Sequence, residues 1–254
     1  MIFVASGTQD GRGLVERLLN DGYKVMASVV TNYGKVLLPQ HPNLIINDHK
    51  LDEEAMQKCL KKHSISVFVD ATHPYAVNVS KTAMQVCKSL NLPYIRYERE
   101  VTPLPKYDKL HLVKTYEESA ELAMKLGQNI FLTTGSNRLE LFADMARKYN
   151  RHIIARVLPA VASLEICEKA GVLPRDIVAI QGPFSESLNI ALYEKYKSDV
   201  VVMKNSGTLG GTESKLTAGI KLNLEIVIID RPRIEYSNLV HDYDLVSEFV
   251  AKFE

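Results

Sequence analysis

Tryptophan is absent from this chain of 254 residues, and cysteine is scarce, with three residues far apart in the sequence: Cys59, Cys87 and Cys167. An odd number of separated cysteines, with no CxxC pair, argues against a disulfide framework and a structural zinc site. The apolar start, Met1 to Ala5, lacks the length and the basic flank of a secretory signal. We therefore expect a cytoplasmic protein.

Long apolar runs and an excess of positive charge are also missing. No stretch approaches the roughly 18 apolar residues that span a membrane, and the net charge of +1 gives no case for nonspecific binding to nucleic acid. No HExxH motif, nucleophile elbow or metal-ligand spacing occurs, so we expect no metal held by the protein. The sequence is thus typical of a soluble globular protein that binds a small molecule.

Strands and helices alternate along the chain, which predicts an α/β fold. The first half begins with a strand from Ile2 to Ala5, a glycine turn and a helix that ends at Asn20. The pattern begins again at Asn129, where FLTTGS aligns with FVASGT of the first half. We predict two related Rossmann-like lobes with parallel sheets, residues 1–128 and 129–254, whose strand ends face a shared cleft.

A polar loop from Lys204 to Thr212 follows the apolar run from Val200 to Met203 and precedes a helix. Its glycines leave backbone amides uncovered, and a helix N-terminus favours negative charge. Lysines at both ends of this region, Lys204 and Lys215, favour a phosphate or carboxylate ligand over a flexible surface turn.

The first turn, Ser6 to Arg12, occupies the place of a dinucleotide loop but does not match GxGxxG. No acid that could hold a ribose hydroxyl ends the second strand, where Val29 to Asn32 stand instead. Arg12 or Lys35 could meet a 2′-phosphate, and the alternative is that Gly7 only makes a tight turn.

Two further groups of side chains could carry chemistry. The segment from Asp70 to Ala76 combines an acid, a hydroxyl, an imidazole and a phenol, which could exchange protons or, in part, cap the next helix. Four arginines lie near predicted strand ends or turns and could bind carboxylates or make surface ion pairs: Arg96, Arg99, Arg138 and Arg156. Ser185, in the segment from Gly182, could line the same cleft or cap a helix.

Taken together, these motifs resemble the precorrin-6A reductase family of cobalamin biosynthesis. The resemblance spans nearly the whole chain and is carried by SGT with Gly11-Arg12, DATHPYA, PYIR, TTGS, ARVLP, QGPFS, KNSG with Gly210-Gly211, and Arg231-Pro232. One departure is the turn GTQDGR, where relatives commonly have a Gly-Gly-Thr form.

The resemblance implies reduction of precorrin-6A, or its cobalt form, to precorrin-6B, with NADPH or NADH as the hydride donor. The tetrapyrrole substrate carries several carboxylates, and any cobalt would arrive within it. We expect catalytic roles for Asp70, His73, Tyr75 and Lys204. The residues expected to hold the cofactor are Gly7, Thr8, Arg12, Ser206, Gly207, Gly210, Gly211 and Thr212. The residues expected to bind the substrate are Arg96, Arg138, Arg156, Ser136 and Ser185.

Two other functions are compatible with the pattern. A dinucleotide-sensing module would bind the cofactor without consuming it, and a two-lobed nucleotide-sugar transferase would need an acidic metal-binding pair. The sequence leaves open the choice of NADH or NADPH, the presence of cobalt in the substrate, the proton donor and the oligomeric state. General resemblance favours the cobalt-containing route.

Overall fold

The computed structural model describes residues 1–30, 32–207 and 210–254. Its contacts divide the chain into two compact units. The first unit comprises Met1–Glu100 and Pro232–Glu254, and the second comprises Val101–Arg231. Each unit has its own sheet and core and is described by itself.

The first unit contains a six-stranded sheet in which every described pairing is parallel. The strands are β1 (Ile2–Ser6), β2 (Val25–Ser28), β3 (Leu44–Asn47), β4 (Val67–Ala71), β5 (Tyr94–Tyr97) and β12 (Leu239–Val240). Their order in the sheet is β12-β5-β4-β1-β2-β3. The helices are α1 (Gln9–Asn20), α2 (Asn32–Val36), α3 (Glu53–Lys62), α4 (Val77–Ser89) and α10 (Tyr243–Val250).

The second unit repeats this plan with another six-stranded parallel sheet. Its strands are β6 (Leu110–Val113), β7 (Asn129–Leu132), β8 (His152–Val157), β9 (Ile177–Ala179), β10 (Val200–Lys204) and β11 (Glu225–Ile229). They are arranged in the order β6-β11-β10-β7-β8-β9. The helices are α5 (Tyr116–Leu126), α6 (Leu139–Tyr149), α7 (Val161–Lys169), α8 (Glu186–Lys195) and α9 (Thr212–Lys221).

The prediction of two related Rossmann-like lobes is confirmed by the strand orders. Strands β1 to β5 of the first unit correspond in chain order to β7 to β11 of the second. The spatial order β5-β4-β1-β2-β3 matches β11-β10-β7-β8-β9. The sixth strand of each sheet departs from chain order, because β12 returns from residue 239 to pair with β5, while β6 precedes β7 and pairs with β11. The units of the structure therefore differ from the predicted division between residues 128 and 129.

The first sheet is covered on both faces, because the side chains of β1 lie in two separate clusters. Ile2 and Val4 pack in one cluster with Leu14 of α1 and Val246 of α10. Phe3 lies in a second cluster, with side chains from α3 and α4 on the opposite face. Because successive side chains of a strand point to opposite faces, a strand that is apolar throughout is buried between two helix layers.

Local sequence signals account for most element ends. Asp52 caps α3, since its carboxylate accepts a hydrogen bond from the amide of Ala55 at 2.9 Å. The elements α2 and β12 are short, with five and two residues, and α1 begins at Gln9 directly after its N-cap residue Thr8. Among the helices that the structure describes, none is long and apolar enough to cross a membrane.

Candidate functional site

The polar loops singled out from the sequence follow the carboxyl ends of the parallel strands. In the first unit the order of the strands reverses between β1 and β4. Strands β2 and β3 follow on one side of β1, whereas β4 and β5 lie on its other side. Strands β7 and β10 hold the corresponding positions in the second unit. Ligands of open parallel sheets bind at such switch points, so both are candidate sites.

The turn after β1 is occupied mainly by helix capping. The Thr8 hydroxyl accepts a hydrogen bond from the amide of Gly11 at 3.0 Å and donates to the carbonyl of Ala71 at 3.2 Å. Since both bonds stay within the protein and Thr8 is buried, the geometry argues against its predicted contact with a cofactor. Gly7 is exposed and Arg12 is half-buried in the first turn of α1, so both can still meet a ligand.

Arg96 was expected to bind substrate carboxylates, but the structure places it in the interior of the first unit. Its side chain has no solvent exposure. Nη1 donates to a carboxylate oxygen of Asp70 at 2.7 Å, and Nη2 donates to Glu98 at 3.0 Å. A guanidinium held in this way cannot reach a substrate, so the expected role of Arg96 is corrected to a structural one.

The same network removes Asp70 from the catalytic candidates. Its carboxylate is fully buried and accepts hydrogen bonds from the hydroxyls of Tyr94 and Thr72, each at 2.7 Å. Burial alone would raise the pKa of Asp70, but the charge of Arg96 and the hydroxyl donors hold it below its ordinary value. A carboxylate that is ionised, paired and inaccessible serves the fold rather than proton transfer.

His73 and Tyr75 remain reachable in the loop after β4. Both are half-buried, and their rings lie 5.6 Å apart between centroids. Nδ1 of His73 accepts a hydrogen bond from the backbone amide of Tyr75 at 3.3 Å. In the neutral imidazole this hydrogen bond places the proton on Nε2.

The loop after β10 is braced from within. Thr212 is completely buried, and its hydroxyl accepts a hydrogen bond from the amide of Ser206 at 3.1 Å. A Cβ on Gly210 would lie 2.4 Å from Cβ of Ser206, so this approach requires glycine. The Thr212 hydroxyl therefore shapes the loop instead of contacting a ligand, whereas the Ser206 hydroxyl stays a predicted cofactor contact. Thr208 and Leu209 of this loop, like Thr31, lie outside the described residues.

The glycines on either side of the undescribed pair have unusual backbone angles. Gly207 has a φ of 77° and Gly211 a φ of 66°, in the left-handed region that favours glycine. Gly211 is also the N-cap residue of α9, which begins at Thr212. These positions keep a place among the predicted cofactor contacts, because the backbone there is free of a side chain.

Arg156, at the end of β8, is buried beneath an aromatic ring. Its guanidinium lies 4.2 Å from the ring centroid of Phe184 and donates to the side-chain oxygen of Asn189 at 2.7 Å. Burial lowers the pKa of Arg156 below its ordinary value, although an arginine stays charged in proteins. Within the described residues, no carboxylate forms an ion pair with it.

Lys215 favoured an anionic ligand in the sequence, but it was not among the residues expected to hold the cofactor or the substrate. It lies in the first turn of α9 and is only 6% exposed, and its side-chain ammonium forms no hydrogen bond or ion pair with any described residue. Burial and the charges of Arg156 and Lys204 lower the pKa of Lys215 to about 7. Burial also lowers the pKa of Lys204, at the end of β10, to about 8.

A signal for Lys215 does exist in the sequence. Thr212, Leu216 and Gly219 form the buried stripe of α9, and position 215 falls within it at helical spacing. A lysine in a buried stripe costs free energy unless a partner of opposite charge is supplied.

The other predicted substrate contacts occupy different surroundings. Arg138 is exposed and lies over the ring of Tyr116 at 5.8 Å. Ser185 caps α8, accepting a hydrogen bond from the amide of Leu188 at 3.2 Å, and Ser136 is half-buried in the turn before α6. Arg99 makes an ion pair with Asp10 at 3.2 Å.

The shared cleft between two lobes stays a prediction.

Metal ligands are not grouped in the part of the chain that the structure describes. No set of three or more histidine, cysteine, aspartate or glutamate residues there could hold a metal ion.

A family model described as "Precorrin-6x reductase CbiJ/CobK" matches residues 1–251. A cobalt-precorrin-6A reductase of Priestia megaterium is 36% identical over 247 residues, covering 97% of this chain and 96% of that protein. A cobalt-precorrin-6A reductase of Methanocaldococcus jannaschii is 32% identical over 255 residues, covering 100% and 99%.

A solved structure shares the fold. It is titled "CobK precorrin-6A reductase" and superposes with a TM-score of 0.80 at 23% identity, covering 99% of this chain and 96% of that chain. The similarity therefore extends over both units.

Proposed function

The chain belongs to the CbiJ/CobK family of precorrin-6x reductases, and we propose that its substrate is the cobalt-containing form, cobalt-precorrin-6A. The protein is thus an oxidoreductase of cobalamin biosynthesis that reduces a carbon–carbon double bond of a tetrapyrrole. Both relatives described above are named for the cobalt-containing substrate, and they exceed 30% identity over nearly the whole chain. That similarity is the observation that carries the choice of substrate.

We further propose NADPH as the reductant, on the chemistry at the ends of the second strands. In Rossmann units that bind NAD an acid near this position holds the ribose hydroxyls, whereas an arginine accommodates the 2′-phosphate of NADP. Strand β2 of the first unit ends at Ser28. Strand β8, which occupies the corresponding place in the second unit, contains Arg156. Neither position offers the acid, and one offers the arginine.

The residues of the second unit fit a dinucleotide. Buried cations and the glycine positions around residues 207–211 are suited to anionic oxygens. When bound, a reduced nicotinamide supplies the hydride. The protein itself would bind the phosphates and carboxylates and hold the reacting partners in a fixed orientation.

The second hydrogen arrives as a proton on the neighbouring carbon, and we propose that His73 donates it from Nε2. The imidazolium form of His73 gives the proton, because a neutral ring would be left as an imidazolate. The neutral resting form is held by the hydrogen bond from the Tyr75 amide to Nδ1. In this arrangement Tyr75 positions the imidazole through its backbone and the ring contact.

The turnover experiment follows nicotinamide fluorescence under anaerobic conditions, which the absence of tryptophan leaves without an indole background. Purified protein is given NADPH or NADH, each with cobalt-precorrin-6A or the metal-free compound. We expect NADPH to be consumed only with the tetrapyrrole, whose mass increases by two hydrogen atoms. The highest kcat/KM is expected for NADPH with the cobalt-containing substrate.

The outcomes separate the alternatives. Binding of NADPH without consumption, with either tetrapyrrole, would indicate a sensor. A higher kcat/KM with the metal-free compound or with NADH would overturn the corresponding choice. In the same assay, His73→Gln should reduce kcat and remove one limb of the pH–rate profile, and an unchanged profile would show that His73 is not the donor.

A further inference from the structure

Three cationic side chains of the second unit belong to neighbouring elements: Arg156, Lys204 and Lys215. No described acid forms an ion pair with Arg156 or Lys215. Arg156 is the last residue but one of β8, Lys204 ends β10, and Lys215 lies in the first turn of α9. The charges of Arg156 and Lys204 both disfavour the protonated form of Lys215, and Asn189, which binds Arg156, also contacts Ser214 beside Lys215. These elements flank the switch point of the second sheet.

Lys215 is the residue that needs an explanation. A buried ammonium without a partner is costly, and both neighbouring charges that act on it are positive. Methionine or leucine would fill the same place in the buried stripe of α9 without this cost. A structural role therefore does not account for a lysine here, whereas a bound anion would.

Arg156 is already prepared for such a ligand. Phe184 covers one face of its guanidinium at 4.2 Å, and Asn189 binds one nitrogen at 2.7 Å, so the side chain is held in a single position. A pre-positioned guanidinium binds planar or tetrahedral oxyanions through several N–H groups. The N-terminus of α9 adds amide donors on the same side of the sheet.

We propose that Lys215, with Arg156 and Lys204, forms an oxyanion-binding subsite in the second unit, and that Lys215 is a ligand-binding residue. The group bound is a phosphate of the cofactor or a carboxylate of the tetrapyrrole, which share this chemistry. This inference rests on the proposed function for its two candidate ligands, but the subsite itself can be tested with inorganic anions.

The first experiment measures thermal unfolding of the whole protein with increasing inorganic phosphate and pyrophosphate. A ligand that binds only the folded state raises Tm. We expect a Tm increase for the native protein, a much smaller one for Lys215→Met, and a largely retained one for Lys215→Arg. The matched control is Lys221→Met on the same helix, whose lysine is exposed and paired with Glu186.

The second experiment identifies the source of the anion through steady-state kinetics of Lys215→Met. A KM that rises about tenfold or more for NADPH but not NADH assigns the 2′-phosphate, and a rise for both assigns the pyrophosphate. A rise for the tetrapyrrole alone assigns a substrate carboxylate. Each of these results supports the subsite.

Two outcomes would overturn the proposal. One is a folded Lys215→Met protein with native Tm increases and native KM values. The other is a Lys215→Met protein less stable than the native one without anions, because the ammonium would then support the fold. If the native protein responds to pyrophosphate but reduces no tetrapyrrole, the proposed function fails while the subsite stands.

Discussion

The fourth residues of β4 and β10 occupy equivalent places in the two sheets but differ in chemistry. In the first unit this residue is Asp70, which pairs in register with Arg96. In the second unit it is Met203, which pairs in register with Ile228. All four side chains are completely buried. The same position in one fold thus accommodates an ion pair or an apolar pair.

The two units also differ in where their uncompensated charge lies. The charges of the first unit's switch point are matched, since Arg96 is paired with Asp70 and Glu98. At the second switch point, the buried charges of Arg156 and Lys215 have no paired acid among the described residues. Matched buried charges stabilise a fold or fix its geometry, whereas unmatched ones are retained where a ligand completes them.

The largest expected effect comes from breaking the ion pair of the first unit. Arg96→Ile should reduce the free energy of unfolding by about 3–5 kcal/mol, because it leaves the Asp70 carboxylate buried and unpaired. The double variant Asp70→Met/Arg96→Ile should be less destabilised than the single one, since it reproduces the pair found in the second unit. Urea unfolding monitored by circular dichroism measures each value.

The control for this comparison is Arg175→Met, whose side chain is 78% exposed and should change stability by less than about 1 kcal/mol. If the double variant is as unstable as Arg96→Ile, the hydrogen bonds to Glu98 and Thr72, rather than the ion pair, hold this region together.

Sequence patterns predicted the repeated fold better than the roles of charged residues. The first helix ends at Asn20 as predicted, and the apolar runs that begin at Ile2 and at Val200 marked strands β1 and β10. Arg96 was misassigned because its partner lies 26 residues earlier, and pairing across neighbouring strands is not visible in a local pattern. The short strand β12 has two residues, too few for alternation to reveal it.

The second prediction concerns pH and the lysines of the second unit. The ordinary lysine pKa is 10.5, while Lys215 has a pKa of about 7 and Lys204 of about 8 in the folded protein. At a pH between the folded and the unfolded pKa of a lysine, the unfolded chain binds more protons than the folded protein. The free energy of unfolding therefore rises with pH, by up to about 1.4 kcal/mol per pH unit for each lysine. We expect the free energy of unfolding of the native protein to rise from pH 7 to pH 9.

Lys215→Met isolates one part of this effect. At pH 7 the variant should be more stable than the native protein, and the difference should shrink towards pH 9, where native Lys215 is already neutral. Above pH 9, groups with raised pKa values, such as Cys87 at about 12, act in the opposite direction. A stability difference that stays constant from pH 7 to pH 9 would mean that Lys215 keeps its ordinary pKa and is accessible to water.

The smallest expected change in the free energy of unfolding comes from replacing one glycine in the switch-point loop of each unit. A methyl group on Gly210 would lie 2.4 Å from Cβ of Ser206, whereas one on Gly7 would meet no atom within 4 Å. Gly210→Ala should therefore reduce the free energy of unfolding by about 1–2 kcal/mol, and Gly7→Ala should change it by less than about 0.5 kcal/mol. Because the Gly210 loop is the one proposed to hold anionic groups, only Gly210→Ala should also raise KM for NADPH. Equal KM increases in both variants would place the cofactor against both loops, and an increase in Gly7→Ala alone would move it to the first unit.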